Sequence, residues 1–172
     1  MTIRGQSWLE RDRALTAQAA TLIRGPLARW LATLLAHSGD TPVWLLLGAA
    51  LWRFGAEGWA RAGERIVLVT SLAWMVSTVL KPFFRRPRPE GERGHFYLKI
   101  DRHSFPSGHA VRVGGLLAVL SGLLPLWSAA GFIAWGLLVC LSRVALGLHY
   151  AGDVTIGLLI GIGVGLALLA VL

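Results

Sequence analysis

Long apolar runs separated by short polar breaks dominate the pattern along this chain. The pattern predicts six helical segments, at residues 14–37, 43–59, 64–84, 107–124, 128–148 and 151–172. The last run, from Val154 to Leu172, carries no charge over a length that can cross a bilayer. The first segment is the weakest, because Arg24, Pro26 and Arg29 interrupt it. It either spans the membrane or lies partly in the interface as an amphipathic helix.

Composition identifies the solvent of this chain. Hydrophobic residues make up 55% of it, charged residues 15%, and the mean hydropathy is +0.60, which exceeds what a soluble domain needs for a core. We therefore predict an all-α integral membrane bundle of about six transmembrane helices, forming a single domain over residues 1–172.

The polar, charged start of the chain argues against a cleavable signal peptide. Cys140 lies in an apolar run and is interpreted as a packing residue. Small residues on one face of the last segment predict close helix packing, at Gly157, Gly161 and Gly165.

Three polar clusters interrupt the apolar sequence. A polar loop, assigned to residues 81–106, joins the first cluster to the second. Charged groups at membrane depth are costly unless they are paired or face a wet cavity, so each cluster is a functional candidate. The clusters are Lys81 with Arg88-Pro89, Pro106-Ser107-Gly108-His109, and Ser142-Arg143 with His149 and Asp153.

The third cluster has the spacing of a nucleophile with an orienting carboxylate. His149 and Asp153 are four residues apart, so both project from one face of a helix. Asp153 can accept one imidazole N–H and leave the other ring nitrogen able to attack an electrophile. Taken alone, the pair is equally compatible with a simple ion pair at a helix end.

The other two clusters supply groups that bind an anion and donate a proton. Ser107 and Gly108 open a helix whose first backbone N–H groups favour an anion, and His109 follows as a possible proton donor. Lys81 offers a point charge, and Arg88 offers a planar donor fork that suits phosphate. Separately, these residues could be an ordinary helix start and anchors for lipid headgroups.

Three stretches resemble the signature motifs of a known family. The first motif, KPFFRRPRP from Lys81 to Pro89, the second, PSGH from Pro106 to His109, and the third, SRVALGLHYAGD from Ser142 to Asp153, are similar in order and spacing to those of the type 2 phosphatidic acid phosphatase (PAP2) superfamily. The resemblance implies a six-helix membrane core and a phosphatase that needs no metal or other cofactor. The superfamily also includes vanadium-dependent haloperoxidases, which are larger and soluble, so this short apolar chain argues against that branch.

The resemblance also implies a role for each matched residue. His149 would be the nucleophile that forms a phosphohistidine, and Asp153 would orient it. His109 would protonate the leaving oxygen and then deprotonate the attacking water. Five residues would hold the phosphoryl oxygens: Lys81, Arg88, Ser107, Gly108 and Arg143.

Arg112 lies one turn deeper than His109 on about the same helix face. One interpretation is pairing with a helix-end carbonyl or a carboxylate, because an unpaired charge there is costly. The other is a second anion contact, because GHAVR resembles the sequence after the second motif in some polyisoprenoid diphosphate phosphatases. The leading substrate is therefore a polyprenyl diphosphate, converted to the monophosphate, and the alternative is phosphatidate or phosphatidylglycerol phosphate.

The net charge of +8 indicates the kind of partner. The basic residues are dispersed or interrupted, which favours lipid headgroups and a phosphorylated lipid substrate over nucleic acid.

A small transporter and a catalytically silent scaffold are the alternatives to an enzyme, but no repeat relates the two halves of the chain and no matched catalytic position is missing. Nothing in the sequence specifies an oligomeric state. The remaining histidines, His37, His95 and His103, fall in predicted loops and are interpreted as surface or loop-ordering residues.

Two arguments about orientation disagree. Six spans place both termini on one side and the motifs on the other, and bacterial family members usually face the motifs outward. We therefore expect a bacterial inner membrane protein with its active site near the periplasmic face. The positive-inside rule would instead assign the motif loop to the cytoplasm. The basic residues responsible are Lys81, Arg85, Arg86, Arg88, Arg93, Lys99 and Arg102.

Overall fold

The computed structural model describes residues 3–89 and 101–172, and its regular elements are helical, as predicted. The described residues form seven α-helices: α1 Ile3–Ala20, α2 Pro26–Ser38, α3 Thr41–Phe54, α4 Glu57–Phe84, α5 Gly108–Leu120, α6 Leu126–Ala145 and α7 Ala151–Leu169. Short 3₁₀ turns follow α1 and α5, at Thr21–Ile23 and Ser121–Leu123. Three residues of the predicted sites and loops, Arg93, His95 and Lys99, lie outside the described residues.

The first predicted segment is two helices, so the prediction of one helix over residues 14–37 is wrong. Gly25 has an extended backbone, with φ −96° and ψ 159°, and Pro26 begins α2. Proline has no N–H and disfavours a helical conformation in the preceding residue, so a helix cannot continue through this point. The polar residues that precede Ala14 are themselves helical, because α1 begins at Ile3.

Among the described residues, three helices are long and apolar enough to cross a membrane, namely α4, α6 and α7. The helices α3 and α5 are apolar but shorter. Large apolar side chains such as Val79, Leu137 and Leu159 are about half exposed, as expected for a surface that faces lipid. The count of six spans stays a prediction.

The motif loop begins later than predicted, at Arg85 rather than Lys81. Arg85 adopts a left-handed conformation, with φ 47° and ψ 30°, and its N–H donates to the carbonyl oxygen of Lys81 over 3.0 Å. This geometry terminates a helix. Lys81 therefore lies in the last turn of α4, where the helix fixes its position.

The glycine face predicted on the last segment is confirmed as a packing surface. Gly157, Gly161 and Gly165 lie against the backbone of α5. A Cβ atom at Gly161 would overlap the carbonyl oxygen of Val111, so only glycine permits this approach. Close packing of α5 on α7 places the second and third motifs side by side.

One end of the bundle collects the functional side chains. The carboxyl ends of α2, α4 and α6 meet the amino ends of α3, α5 and α7 there, because consecutive helices run in alternating directions. The core below this end is apolar, with Val69 of α4 and Leu116 of α5 fully buried. The packed helices therefore provide a rigid base for the polar end.

Candidate active site

A cavity of about 680 Å³ opens at the polar end of the bundle. Its lining contains seven of the predicted site residues: Lys81, Arg88, Gly108, His109, Arg112, Arg143 and His149. Other lining residues include Asp40, Thr41, Ser77 and Asp101. The remaining predicted residues, Ser107 and Asp153, are not part of the lining and are fully buried. Tertiary packing thus brings all three motifs to one cavity.

His149 lies in the turn between α6 and α7, and only 2% of it is exposed. Its Nδ1 lies 2.7 Å from the carbonyl oxygen of Ser104, whereas the Asp153 carboxylate is 3.8 Å from the same nitrogen. A carbonyl can only accept a hydrogen bond, so Nδ1 carries the proton and Nε2 keeps its lone pair. The acceptor of the Nδ1 proton is therefore the carbonyl oxygen of Ser104, and not the Asp153 carboxylate that the sequence predicted. Sequence spacing gave no signal for this contact across different segments.

The environment of His149 keeps its imidazole neutral. Burial lowers its pKa to about 4, and the positive charges of Arg143 and Arg88 act in the same direction. The Asp153 carboxylate opposes this shift without cancelling it. Nε2 lies 3.3 Å from Arg88 Nη1, so the unprotonated nitrogen faces a cation of the cavity. A neutral, oriented imidazole is the form required of a nucleophile.

Asp153 organises the start of α7 rather than contacting His149 closely. One carboxylate oxygen accepts the N–H of Tyr150 over 2.9 Å, and the other accepts from Arg86 Nη1 over 2.7 Å. The carbonyl oxygen of Asp153 accepts the N–H of Ser107 over 3.2 Å, which joins the second and third motifs. The Ser107 N–H is thus already used, contrary to the prediction that it is available to an anion.

The side chain of Ser107 lies directly before a residue of the cavity lining, Gly108. Its Oγ is buried and has no hydrogen-bond partner among the described residues. Ser107 is the N-cap of α5, but its hydroxyl makes no capping hydrogen bond there. A buried hydroxyl without a partner is unfavourable, so Ser107 keeps an unused hydrogen-bonding group next to Gly108 of the cavity lining.

The cations of the first motif are held by an acid that the sequence did not single out. Lys81 Nζ contacts the carboxylate of Asp101, and Arg88 Nη2 lies 3.0 Å from the same carboxylate. Arg88 also donates to the carbonyl oxygen of Leu148 over 2.7 Å. Arg143 is 1% exposed and lines the same cavity. The contacts with Asp101 and Leu148 fix the directions of the Lys81 and Arg88 side chains.

Arg112 makes the helix-end pairing that the sequence left open. Its Nε and Nη2 donate to the carbonyl oxygen of Gly39, the first over 2.7 Å, and Nη1 donates to Thr41 Oγ1 over 2.5 Å. The side chain also lines the cavity. A second anion contact at Arg112 stays a prediction, and it would compete with these bonds.

His109 is paired with an aspartate from the α2–α3 turn. His109 Nε2 lies 2.6 Å from Asp40 Oδ1, and His37 Nδ1 lies 2.8 Å from Asp40 Oδ2. Burial alone would raise the pKa of Asp40, but its hydrogen bonds with His109 and His37 lower it to about 2. Sequence reasoning missed Asp40, because an aspartate before Thr41-Pro42 is typical of an ordinary helix start.

The amino-terminal helix α1 is attached to the start of α7 by a partly buried ionic network. Arg86 bridges Asp12 and Asp153, at 2.6 Å and 2.7 Å, and stacks on the ring of Tyr150 at 4.1 Å. Burial alone would lower the pKa of Arg86, but both ion pairs raise it. Asp12 also accepts the N–H of Gly152 over 2.8 Å. No periodic signal in the sequence relates α1 to the third motif.

Comparison with known proteins agrees with this geometry. The PAP2 superfamily matches residues 64–172, which include all three motifs. Phosphatidylglycerophosphatase B of Bacillus subtilis (strain 168) is 29% identical over 167 residues, which cover 88% of this chain and 78% of that protein. A lipid A 1-phosphatase of Rhizobium johnstonii is 32% identical over 106 residues, which cover 58% of this chain and 43% of that protein.

Solved structures show the same arrangement of helices. The crystal structure of Aquifex aeolicus LpxE has a TM-score of 0.75 and 28% identity, covering 91% of this chain and 93% of that one. The transmembrane PAP2 type phosphatidylglycerolphosphate phosphatase of Bacillus subtilis has a TM-score of 0.66 and 28% identity, covering 95% of this chain and 85% of that one. The predicted enzyme class is confirmed over the transporter and scaffold alternatives. The chain is an integral membrane phosphatase, and it belongs to the PAP2 superfamily.

Proposed function

We propose that this enzyme hydrolyses a lipid phosphate through a phosphohistidine on His149, without a metal ion. The observation that carries the proposal is the placement of two histidines around one cationic cavity. His149 presents an unprotonated Nε2 there, and His109 lines the same cavity beside the donors of Lys81, Arg88 and Arg143. Two imidazoles with a phosphate site between them match the two half-reactions of phosphoryl transfer to water.

The reaction follows from these groups. His149 Nε2 attacks phosphorus, the bond from phosphorus to the leaving oxygen breaks, and His109 gives that oxygen a proton. In the second half, water attacks the phosphohistidine while His109 accepts a proton from the water. The N–P bond then breaks, which restores both imidazoles and releases inorganic phosphate. The Ser104 carbonyl and the Asp153 charge stabilise the positive imidazole ring during transfer.

Phosphate binding relies on preorganised donors. Arg88, Lys81 and Arg143 supply positive charge, and the Ser107 hydroxyl supplies a hydrogen bond. The first N–H groups of α5, beginning at Gly108, lack acceptors within the helix and favour an anion. The Asp101 carboxylate holds Lys81 and Arg88 in the substrate-free protein, so a phosphate must displace it or share these cations.

Phosphatidylglycerol phosphate is the substrate that we favour, with phosphatidate as a close alternative. A Bacillus subtilis relative that this chain covers over most of its length is a phosphatidylglycerophosphatase, which supports a glycerolipid monophosphate. A polyprenyl diphosphate, the leading candidate from the sequence, requires Arg112 to reach the second phosphate. The bonds of Arg112 to Gly39 and Thr41 weaken the support for that candidate.

Phosphate release by purified protein in detergent, with EDTA present, tests the mechanism. The wild type should release phosphate from phosphatidylglycerol phosphate and form an acid-labile, alkali-stable phosphoprotein, as a phosphohistidine requires. His149→Ala should lose both signals, whereas the matched variant His103→Ala should retain them. Undiminished release by His149→Ala would exclude the proposed nucleophile.

A substrate panel under identical detergent conditions tests the lipid. We expect faster release from phosphatidylglycerol phosphate and phosphatidate than from a prenyl diphosphate. If Arg112 instead contacts a second phosphate, Arg112→Ala should reduce hydrolysis of the prenyl diphosphate more than that of phosphatidate. Equal losses on both substrates would show that Arg112 serves the fold alone.

We propose that the active site faces the periplasm of a bacterial inner membrane. The positive-inside argument against this orientation is weakened, because Arg86 is committed to Asp12 and Asp153. Cysteine labelling tests the orientation, since the native Cys140 is buried. His37→Cys, near the site, should react with an impermeant maleimide in intact cells, and Glu57→Cys should react only after permeabilisation. The reverse pattern would place the site in the cytoplasm.

A further inference from the structure

The turn between α2 and α3 contributes to the active site from outside the residues that match the superfamily. Asp40 Oδ1 lies 2.6 Å from His109 Nε2. Gly39 has no room for a side chain, because a Cβ atom there would lie 3.3 Å from His109 Cδ2 and 2.9 Å from Val139 Cγ1. Arg112, one turn below His109, fastens this turn by donating to the carbonyl oxygen of Gly39. The turn therefore covers one edge of the imidazole ring and is itself held in place.

This contact decides which nitrogen of His109 can serve the substrate. The turn covers the edge formed by Cδ2 and Nε2. Nδ1 is on the opposite edge of the ring, so it is the nitrogen left for a leaving-group oxygen. With a carboxylate accepting from Nε2–H, the ring can lose and regain a proton at Nδ1 without changing tautomer.

The charges around His109 make the carboxylate necessary. Burial lowers the pKa of His109 well below its usual value, and the positive charges of Arg143 and Arg112 act in the same direction. Asp40 acts in the opposite direction through its hydrogen bond and its charge. A proton donor among guanidinium groups needs such a compensating negative charge until the substrate phosphate is bound.

We propose that Asp40 is a positioning residue for His109: it holds the imidazole with Nδ1 toward the leaving oxygen. The inference rests on the proposed phosphatase function. It adds a carboxylate–histidine pair, Asp40 with His109, in which the histidine is the proton donor to the leaving group. In the first step, the proton on Nδ1 moves to the leaving oxygen as the P–O bond breaks, and Nε2–H stays with Asp40. In the second step, Nδ1 accepts a proton from the attacking water.

Leaving-group dependence separates this role from a structural one. Asp40→Asn removes the charge, and α3 should start normally, because the Asp40 side chain makes no capping hydrogen bond there and asparagine is also favoured at an N-cap. For an alkyl phosphate, whose leaving oxygen needs a proton, we expect Asp40→Asn to reduce kcat/KM about 100-fold, the lower end for general acid catalysis. For 4-nitrophenyl phosphate, whose leaving group departs without a proton, the loss should be less than about tenfold. Equal losses on both substrates would overturn the proposal.

Two further variants make the test specific. His109→Ala should show the same dependence on the leaving group, and the double variant with Asp40→Asn should lose little more than His109→Ala alone. Additive losses would show that Asp40 acts independently of His109. His37→Ala removes the other partner of Asp40 without touching His109 and should stay near the wild-type rate on both substrates.

Folding and function can be judged separately in this design. If Asp40→Asn does not yield folded protein, Asp40→Ser keeps another favoured N-cap residue and gives the same comparison. If the wild type is active and His149→Ala is not, the proposed function stands whatever Asp40→Asn shows. If the wild type releases phosphate from neither substrate nor from phosphatidylglycerol phosphate, the proposed function and the role of Asp40 fail together.

Discussion

His149 donates its Nδ1 proton to the carbonyl oxygen of Ser104 over 2.7 Å. The group that orients the candidate nucleophile is thus the backbone carbonyl of Ser104, two residues before the second motif begins at Pro106. A backbone carbonyl cannot be removed by changing a side chain, and it holds the neutral imidazole in the tautomer protonated on Nδ1. The orientation of His149 therefore depends on how the second motif is folded.

The protonation state of His149 should reflect its surroundings. The pKa falls from 6.5 to about 4, so the folded protein binds fewer protons than the unfolded chain between these values. The neutral His149 side chain therefore makes its full contribution to the free energy of unfolding above pH 6.5, and this contribution is lost as the pH falls toward 4. Between the two values, ¹⁵N spectra of histidine-labelled protein should show a neutral ring protonated on Nδ1. His149→Ala identifies the signal, and titration near 6.5 would contradict the prediction.

Ser107→Ala should separate activity from stability. The hydroxyl has no partner among the described residues, so its removal should leave the free energy of unfolding within about 0.5 kcal/mol of the wild type. Loss of a hydrogen bond to a charged phosphoryl group should reduce kcat/KM about 10- to 100-fold. Thermal unfolding and phosphate release on the same preparation measure both effects. A less stable variant with normal activity would show that the hydroxyl is structural.

Asp12→Asn should loosen the attachment of α1 to the third motif. The change removes the charge that pairs with Arg86, although Arg86 keeps Asp153. We expect a loss of about 2–4 kcal/mol in the free energy of unfolding, because one partner of a buried ion pair is removed. Activity should also fall, since Asp153 and the start of α7 lose a support. Glu10→Gln, an exposed acid on the same helix, is the matched control and should change neither value.

Gly161→Ala should separate α5 from α7. The added methyl group would overlap the carbonyl oxygen of Val111, and a helix backbone cannot yield as a side chain does. We expect a loss of about 3 kcal/mol or more in the free energy of unfolding. Gly163→Ala lies on the same helix in open space and should stabilise it by about 0.5–1 kcal/mol. Similar unfolding midpoints for the two variants would contradict the packing described above.

The helices and the motif residues could be predicted from the sequence because both depend on near neighbours. Apolar runs and glycine spacing indicated α7 and its packing face, and three short motifs indicated the cavity residues. The prediction over residues 14–37 was wrong because a run of apolar residues outweighed the break at Gly25 and Pro26. The prediction that Asp153 accepts the proton of His149 was wrong for another reason. Asp153 is close along the helix, but the nearest hydrogen-bond acceptor comes from a different segment.

The sequence by itself determined that this protein is embedded in a membrane, that it is helical, and which chemical groups are available for phosphate chemistry. Only the tertiary structure decided how these groups are paired: His149 with Ser104, His109 with Asp40, and Asp153 with Arg86. The reason is geometric. Spacing along one helix fixes which side chains share a face, whereas contacts between helices depend on how closely whole backbones pack, and here glycines on α7 set that distance.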